Sequence, residues 1–142
     1  MTIPVWPSTL PAKFLTEGFT KGVPDGRLRT AMETGPAKMR RRTRAATTPV
    51  TVQFYASLDQ VARLEAFWSE DTGGGTLPFL VRDQLRDGQP LSDGTGGILS
   101  DEAGNPLTIE GWWLVTFGEQ PPQIGLRSGQ TARISMALLI LP

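Results

Sequence analysis

The sequence predicts an α+β fold in which one amphipathic helix packs on an antiparallel β-sheet. Two observations indicate the sheet: apolar and polar residues alternate along several separate stretches, and 16 glycines and 12 prolines divide the chain at intervals typical of turns. A single stretch with apolar residues at three- and four-residue spacing indicates the helix. We expect a β-sandwich or a related sheet, with a long hairpin or loop as an insertion.

The composition excludes several classes of protein. Hydrophobic residues make up 39% of the chain and charged residues 20%, which suits one globular domain over residues 1–142 and excludes a disordered chain. No apolar run approaches the roughly 20 residues of a membrane-spanning helix. The first residues lack the basic and apolar regions of a secretion signal, so we expect the chain to stay where it is made.

The sequence offers little catalytic chemistry. Histidine and cysteine are both absent, which excludes disulfides, Ser–His and Cys–His nucleophile pairs, and zinc bound by imidazole or thiolate. Two carboxylates could still hydrolyse glycosides, but most acidic residues occupy turn-like contexts. We therefore expect no enzyme activity, no catalytic residue, no cofactor and no metal site.

The net charge of zero conceals an unequal division along the chain. Residues 1–44 carry nine basic and three acidic side chains, a net charge of +6, whereas residues 45–142 carry five basic and eleven acidic side chains, a net charge of −6. This division suits a subunit that meets its own copies or a partner through complementary surfaces. It equally suits an arm that binds nucleic acid.

Residues 1–37 are predicted to form an irregular arm, because five prolines and four glycines interrupt any long helix. The arm nevertheless carries apolar and aromatic residues, among them Trp6 and Phe14, and is too apolar for a solvated tail. We expect it to lie against its own domain, with exchange onto a neighbouring copy as the alternative.

The core is predicted to comprise residues 38–83 and 111–142. Alternation and β-forming composition predict strands at 50–55, 76–82, 111–117 and 131–141. The adjacent Trp112 and Trp113 must point to opposite faces of their strand, so we expect one in the core and the other exposed or at an interface.

One stretch, residues 58–70, predicts a helix. Ser57 and Gln60 have the spacing of a capping box, in which each side chain binds the backbone N–H of the other residue. Apolar residues then recur on one face, and the glycines at 73–75 allow the left-handed conformation that ends a helix.

Residues 84–110 are predicted to be an insertion into this core. Asp–Gly and Gly–Gly steps with isolated apolar residues indicate one or two short hairpins or a projecting loop. Ordering such a segment costs about 1–2 kcal/mol per residue, so we expect it to be mobile in an isolated subunit. We find no internal repeat.

The run at 38–44 carries five positive charges in seven residues. It has three interpretations: an ion-paired contact between subunits, a solvated strand edge whose like charges deter aggregation, and a phosphate-binding arm. No aromatic residue is interleaved as in many nucleic-acid-binding segments, which favours the subunit contact.

The order of these features resembles that of a family of bacteriophage proteins. An arginine-rich segment, 29–43, leads to the strand at 50–55, and a helix follows that ends in LEAFW at 64–68. A glycine turn then precedes the segment 78–83. Together with WPSTLP at 6–11, this pattern resembles siphophage and prophage minor tail proteins of the distal-tail, tail-tip type, represented by the minor tail protein M of phage lambda.

The resemblance implies a tail-tube-like β-fold with one packed helix. Such subunits assemble in the bacterial host cytoplasm into a homohexameric ring of the virion, which joins the tail tube to the central hub proteins. DNA passes through the ring without specific binding, and the subunit does not enter a membrane. Residues 84–110 have no counterpart in the shorter lambda protein, which leaves open a neck, tail-completion or tail-tube role. A small nucleic-acid-binding protein using residues 38–44 is the further alternative.

Two sets of residues are the candidate sites of such a ring. The set expected at the interface between subunits is Trp6, Phe14, Arg40, Arg42, Arg44 and Trp112. The set expected to face the lumen, where it would give the passage for DNA a negative wall, is Asp87, Asp93, Asp101 and Glu102.

Overall fold

A six-stranded antiparallel sheet forms the centre of the protein. The computed structural model describes residues 2–127 and 129–142, and that part of the chain contains eight strands and one α-helix. In chain order these are β1 (Thr20–Lys21), β2 (Arg27–Thr30), β3 (Lys38–Arg41), β4 (Thr48–Ser57), α1 (Leu58–Ala66), β5 (Phe79–Arg82), β6 (Trp112–Phe117), β7 (Gln123–Leu126) and β8 (Thr131–Ile140). The main sheet has the order β1-β4-β8-β6-β5, with β7 also paired to β8, and β2 and β3 form a separate pair. The prediction of an α+β fold with an antiparallel sheet is confirmed.

The longest pairing in the sheet joins β4 to β8. It runs in register from Thr48 opposite Ile140 to Ser57 opposite Thr131. Alternate residues of β4, β6 and β8 face the core, as their pattern predicts. The buried residues are Val50, Val52, Phe54, Ala56, Trp113, Val115, Phe117, Ala132, Ile134, Met136 and Leu138. Trp113 is 8% exposed, whereas its neighbour Trp112 is 40% exposed, so the two rings do point to opposite faces.

The helix begins at the predicted cap, and its α-helical part ends at Ala66. The Ser57 side chain accepts a hydrogen bond from the Gln60 N–H, and the Gln60 side chain accepts one from the Ser57 N–H. After α1, the chain widens into a π-helical turn, Phe67–Asp71. The Trp68 carbonyl in this turn accepts two hydrogen bonds, from the Thr72 hydroxyl at 2.7 Å and from the Gly74 N–H at 2.8 Å.

A close approach follows the helix at Gly75. Its φ is +85°, and a Cβ atom there would lie 2.3 Å from Cη2 of the Trp68 ring. Only glycine has both the conformation and the space required. The predicted glycine turn at 73–75 is therefore confirmed, and its last residue also makes room for the indole.

The N-terminal arm lies against its own domain. The Trp6 N–H donates to the Leu80 carbonyl and the Leu80 N–H donates to the Pro4 carbonyl, so the arm pairs along the outer edge of β5. The indole of Trp6 is 7% exposed. The rings that contact it belong to Phe14, Phe54, Phe67 and Phe79.

This placement corrects two predictions about the arm. Trp6 and Phe14 belong to the core of their own domain, so they do not form an exposed interface between subunits. Burial of such large aromatic side chains contributes strongly to the stability of the core. The arm is also more regular than predicted, because β1 and β2 lie within residues 1–37.

Residues 84–110 contain a short repeat, which corrects the statement that the chain has none. The segments PLSDGTGG at 90–97 and ILSDEAGN at 98–105 share Leu-Ser-Asp and a later glycine, and PLT at 106–108 begins a third copy. We call each copy an octad. Leu91, Leu99 and Leu107 occupy the same place in the three octads.

The three leucines close a cycle of backbone hydrogen bonds. The Leu91 N–H donates to the Leu107 carbonyl, the Leu107 N–H to the Leu99 carbonyl, and the Leu99 N–H to the Leu91 carbonyl, each at 2.9 Å. Short antiparallel bridges flank the cycle. Residues 84–110 therefore contain a triangle of three short extended segments. They have local hydrogen bonds that the expectation of a mobile segment did not include.

The loops within the two complete octads are built alike. Asp93 and Asp101 each begin a loop, and each carboxylate accepts hydrogen bonds from the backbone N–H groups two and four residues further along. Gly96 and Gly104, at equivalent positions, both have a positive φ, +97° and +84°. Each loop is thus braced by its own aspartate and turned by its own glycine.

Candidate assembly surfaces

Two segments project from the main sheet and carry opposite charge. The basic hairpin, residues 22–47, connects β1 to β4 and holds seven basic and two acidic side chains, a net charge of +5. The acidic projection, residues 83–111, connects β5 to β6 and holds six acidic side chains and one basic side chain, a net charge of −5. The unequal division of charge along the chain is concentrated in these two segments.

The strand order places the two segments at opposite edges of the sheet. β1 is the first strand of the order and β5 the last, and four strand spacings separate them, about 19 Å. β4 and β6 are both antiparallel to β8 and therefore run in the same direction. Because each segment leads into one of these two strands, both segments join the sheet at the same end.

The basic hairpin has little support from the rest of the fold. Among the described elements, β2 and β3 contact each other and no other helix or strand, and nearly all of their side chains are exposed. Arg27 stands directly opposite Arg41, which destabilises the pair because like charges repel. A two-stranded hairpin is only marginally stable by itself. Negative charge from another molecule would stabilise it.

One ion pair lies within the hairpin. The Arg27 guanidinium donates from Nε to Asp25 Oδ1 at 2.8 Å and from Nη2 to Oδ2 at 2.9 Å. The Arg27 side-chain hydrogen bond lowers the pKa of Asp25 to about 2, and Asp25 in turn raises the pKa of Arg27. The three predicted interface arginines differ from Arg27. In the described part of the chain, Arg40, Arg42 and Arg44 form no ion pair.

An open groove of about 530 Å³ lies at the base of the hairpin. Its lining includes the guanidinium-bearing residues Arg27, Arg41 and Arg44, and Asp25 is the one acidic residue there. Arginine presents a planar fork of donors that matches a carboxylate. The groove therefore suits an anionic side chain.

The acidic projection is fastened at its base. The Arg82 guanidinium lies 3.9 Å from the centroid of the Trp112 ring and donates to Asp87 at 3.3 Å and to Glu110 at 3.2 Å. Asp87 also accepts from the Gly111 N–H at 3.0 Å. That backbone hydrogen bond, aided by nearby positive charges, lowers the pKa of Asp87.

The structure separates the four residues predicted to line a negative wall. The Asp87 side chain is only 15% exposed, and its bonds hold the base of the projection together, so its role is structural and the prediction is corrected there. Asp93 and Asp101 brace the octad loops. The hydrogen bond from the Thr95 hydroxyl has the largest effect in lowering the pKa of Asp93. Glu102 is exposed and forms no ion pair within residues 2–127 and 129–142.

The octads also present an apolar surface that the sequence analysis missed. Leu91, Leu99 and Leu107 are 37%, 43% and 41% exposed, and Ile98 and Ile109 are exposed beside them. The recurrence of leucine at one place in each octad is the signal that could have revealed it. The projection therefore presents both carboxylates and exposed apolar side chains.

The chain matches no family model and no curated protein. In the part of the chain that the structure describes, no helix is long and apolar enough to cross a membrane. No group of three or more potential metal ligands occurs among the same residues.

Proposed function

We propose that the chain is a structural subunit of the tail tip of a tailed bacteriophage, and that it forms a ring joining the tail tube to the central hub. The observation that carries the proposal is the placement of segments with charges +5 and −5 at opposite edges of one sheet. A subunit with complementary surfaces at opposite edges binds the next copy head to tail, and such contacts form a ring when the rotation between copies closes.

The sequence resemblance supports the same assignment. The segments 6–11, 29–43 and 64–68 resemble distal-tail proteins, and the antiparallel sheet with one helix is compatible with a tail-tube-like subunit. Six copies would form the ring, which belongs to the virion and assembles in the host cytoplasm. Its partners are the tail tube protein and the hub proteins.

A neck, tail-completion or tail-tube protein is the nearest alternative. Each would form a ring through the same head-to-tail contact, so only the partner proteins distinguish them. The mass of the purified chain should be measured alone and with the proteins encoded beside it in the genome. We expect a closed ring, six copies in number, that binds both tube and hub proteins. A chain that stays monomeric at every concentration and in every mixture contradicts the proposal.

A nucleic-acid-binding protein is the second candidate, because the hairpin carries arginines without ion pairs in the described structure and a groove lined by guanidinium groups. Phosphate contacts release counterions, so such binding weakens steeply with salt. Tight binding of arbitrary duplex DNA at about 0.15 M salt would favour this candidate. Absence of binding under those conditions would favour the ring.

A further inference from the structure

We infer that the acidic projection of one copy docks against the basic hairpin of the next copy. This inference rests on the proposed ring and identifies its contact. The occupant of the hairpin is a second copy of this chain because the two segments are opposite in charge, +5 against −5. The carboxylates of the projection that lie beyond its base are those of Asp93, Asp101 and Glu102, and these are the ones that the hairpin can bind. They lie on opposite edges of the sheet, so each copy uses one surface toward each neighbour.

The projection carries the negative charge and the apolar side chains that would stabilise the hairpin. Arg27 and Arg41 stand opposite one another on exposed strands, and carboxylates placed between them remove the repulsion. Apolar side chains of the hairpin are exposed as well, among them Met32 and Met39. The octad leucines and isoleucines can cover them, and this apolar contact adds to the charge match.

The groove at the base of the hairpin is the place for the octad loops. Glu102 follows Asp101 at the start of the second loop and is exposed. A carboxylate entering the groove meets Arg27, Arg41 and Arg44. The loops are already braced by Asp93 and Asp101, so little conformational entropy is lost when they dock.

The contact replaces the negative wall expected for the passage. The octad carboxylates are neutralised by the neighbour's arginines and are not left facing DNA. Exposed ion pairs weaken with ionic strength, since the screening length falls to about 8 Å at 0.15 M. Assembly should therefore be weaker at high salt.

Two variants test the contact, and each removes three charges from one side of it. The hairpin variant is Arg40→Gln, Arg41→Gln, Arg44→Gln, which keeps a polar side chain at each position and removes two of the three groove arginines. The projection variant is Asp93→Asn, Asp101→Asn, Glu102→Gln, which keeps the oxygen acceptors that brace the loops. We expect each variant alone to associate about tenfold or more weakly than the unmodified chain, as close charge pairs across interfaces imply. Unchanged thermal unfolding of both variants shows that they fold.

Mixing the two variants gives the sharpest readout. Each retains the surface that the other lacks, so a one-to-one mixture should form a discrete heterodimer and no ring. Native mass spectrometry measures this directly. If both variants assemble like the unmodified chain, the contact is wrong and the ring forms through another surface.

Two other outcomes would also overturn the contact. A monomeric unmodified chain contradicts both the contact and the ring. If the hairpin variant loses affinity for duplex DNA while the projection variant assembles normally, the hairpin binds nucleic acid instead of a neighbouring copy.

Discussion

Arg82 stacks on Trp112 where the acidic projection leaves the sheet. The two residues are opposite each other in the pairing of β5 and β6, and the guanidinium lies 3.9 Å from the ring centroid. The same guanidinium binds Asp87 and Glu110. One side chain therefore connects both chain ends of the projection to the sheet.

Replacing Arg82 by lysine should loosen this base. Lysine keeps the charge but lacks the planar fork that stacks on Trp112 while binding two carboxylates. We expect a loss of about 0.5–1 kcal/mol in the free energy of unfolding. The amides of Gly88 and Gly111, which are bonded at the base, should exchange faster with solvent.

The matched control is Arg86→Lys. Arg86 is exposed and forms no ion pair in the described part of the chain. Its substitution should leave both amides protected. Equal acceleration of exchange in the two variants would show that Arg82 has no special role.

Replacing Trp6 by alanine should destabilise the monomer severely. The ring is buried among four phenylalanine rings, and truncation of such a residue costs about 3–5 kcal/mol. Trp112→Ala, which removes a half-exposed ring, should cost roughly 1 kcal/mol. Urea denaturation of dilute protein measures both. A Trp6 variant of normal monomer stability that fails to assemble would show that the arm is exchanged between copies.

Gly74 and Gly75 form a matched pair for testing the turn after the helix. Both have positive φ, but a Cβ atom at Gly74 meets nothing within 4 Å, whereas at Gly75 it meets the Trp68 ring. Gly74→Ala should cost the left-handed penalty alone, about 1–2 kcal/mol. Gly75→Ala should cost a further 1–3 kcal/mol or so from overpacking. Equal thermal stability of the two variants would refute the contact with Trp68.

The first octad loop should open in acid. The Asp93 carboxylate accepts several hydrogen bonds that lower its pKa, and the one from the Thr95 hydroxyl has the largest effect. A carboxyl whose pKa is lower in the folded than in the unfolded state stabilises the loop at every pH above its ordinary pKa of about 3.9. That contribution is lost as the pH falls through the lowered value.

Asp93→Asn separates the charge from the hydrogen bonds, because asparagine keeps an oxygen acceptor and does not titrate. The amide proton of Gly97, bonded to Asp93, should shift in NMR spectra of the unmodified chain below about pH 4. It should not shift in the variant. Identical acid titrations of the two proteins would mean that another group controls the loop.

The central sheet and the helix could be predicted because burial imposes a period on their residues. Val50, Val52 and Phe54 alternate with polar neighbours because one face of β4 is covered. The cap formed by Ser57 and Gln60 is a local interaction and needs no tertiary information. These features depend on side chains that the linear pattern displays.

Two features were not predicted, the strand β7 and the octads. β7 depends on backbone pairing, and the octads are visible only as a repeated three-residue motif. β7 is exposed along its whole length and is held by its pairing with β8, so it has no apolar alternation to detect. The octad segments are too short to show a strand period. Their signal is the recurrence of Leu-Ser-Asp at 91–93 and 99–101.

The candidate surfaces were predicted in part. The division of charge pointed to the segments that form the basic hairpin and the acidic projection. It misplaced Trp6 and Phe14, because apolarity alone does not tell whether a ring fills its own core or a neighbour's. Asp87 was misplaced because its bonds to Arg82 and Gly111 form only when β5 and β6 meet.

The cycle of octad leucines makes the middle octad a removable module. Leu91 and Leu107 are already bonded to each other, so excising residues 98–105 leaves them paired as opposite residues of a simple hairpin. An in-frame deletion in the gene would thus shorten the tip while the base at Arg82 and Trp112 stays in place. The length of the acidic projection can therefore change by whole octads, through in-frame deletion or duplication, without altering how the sheet folds.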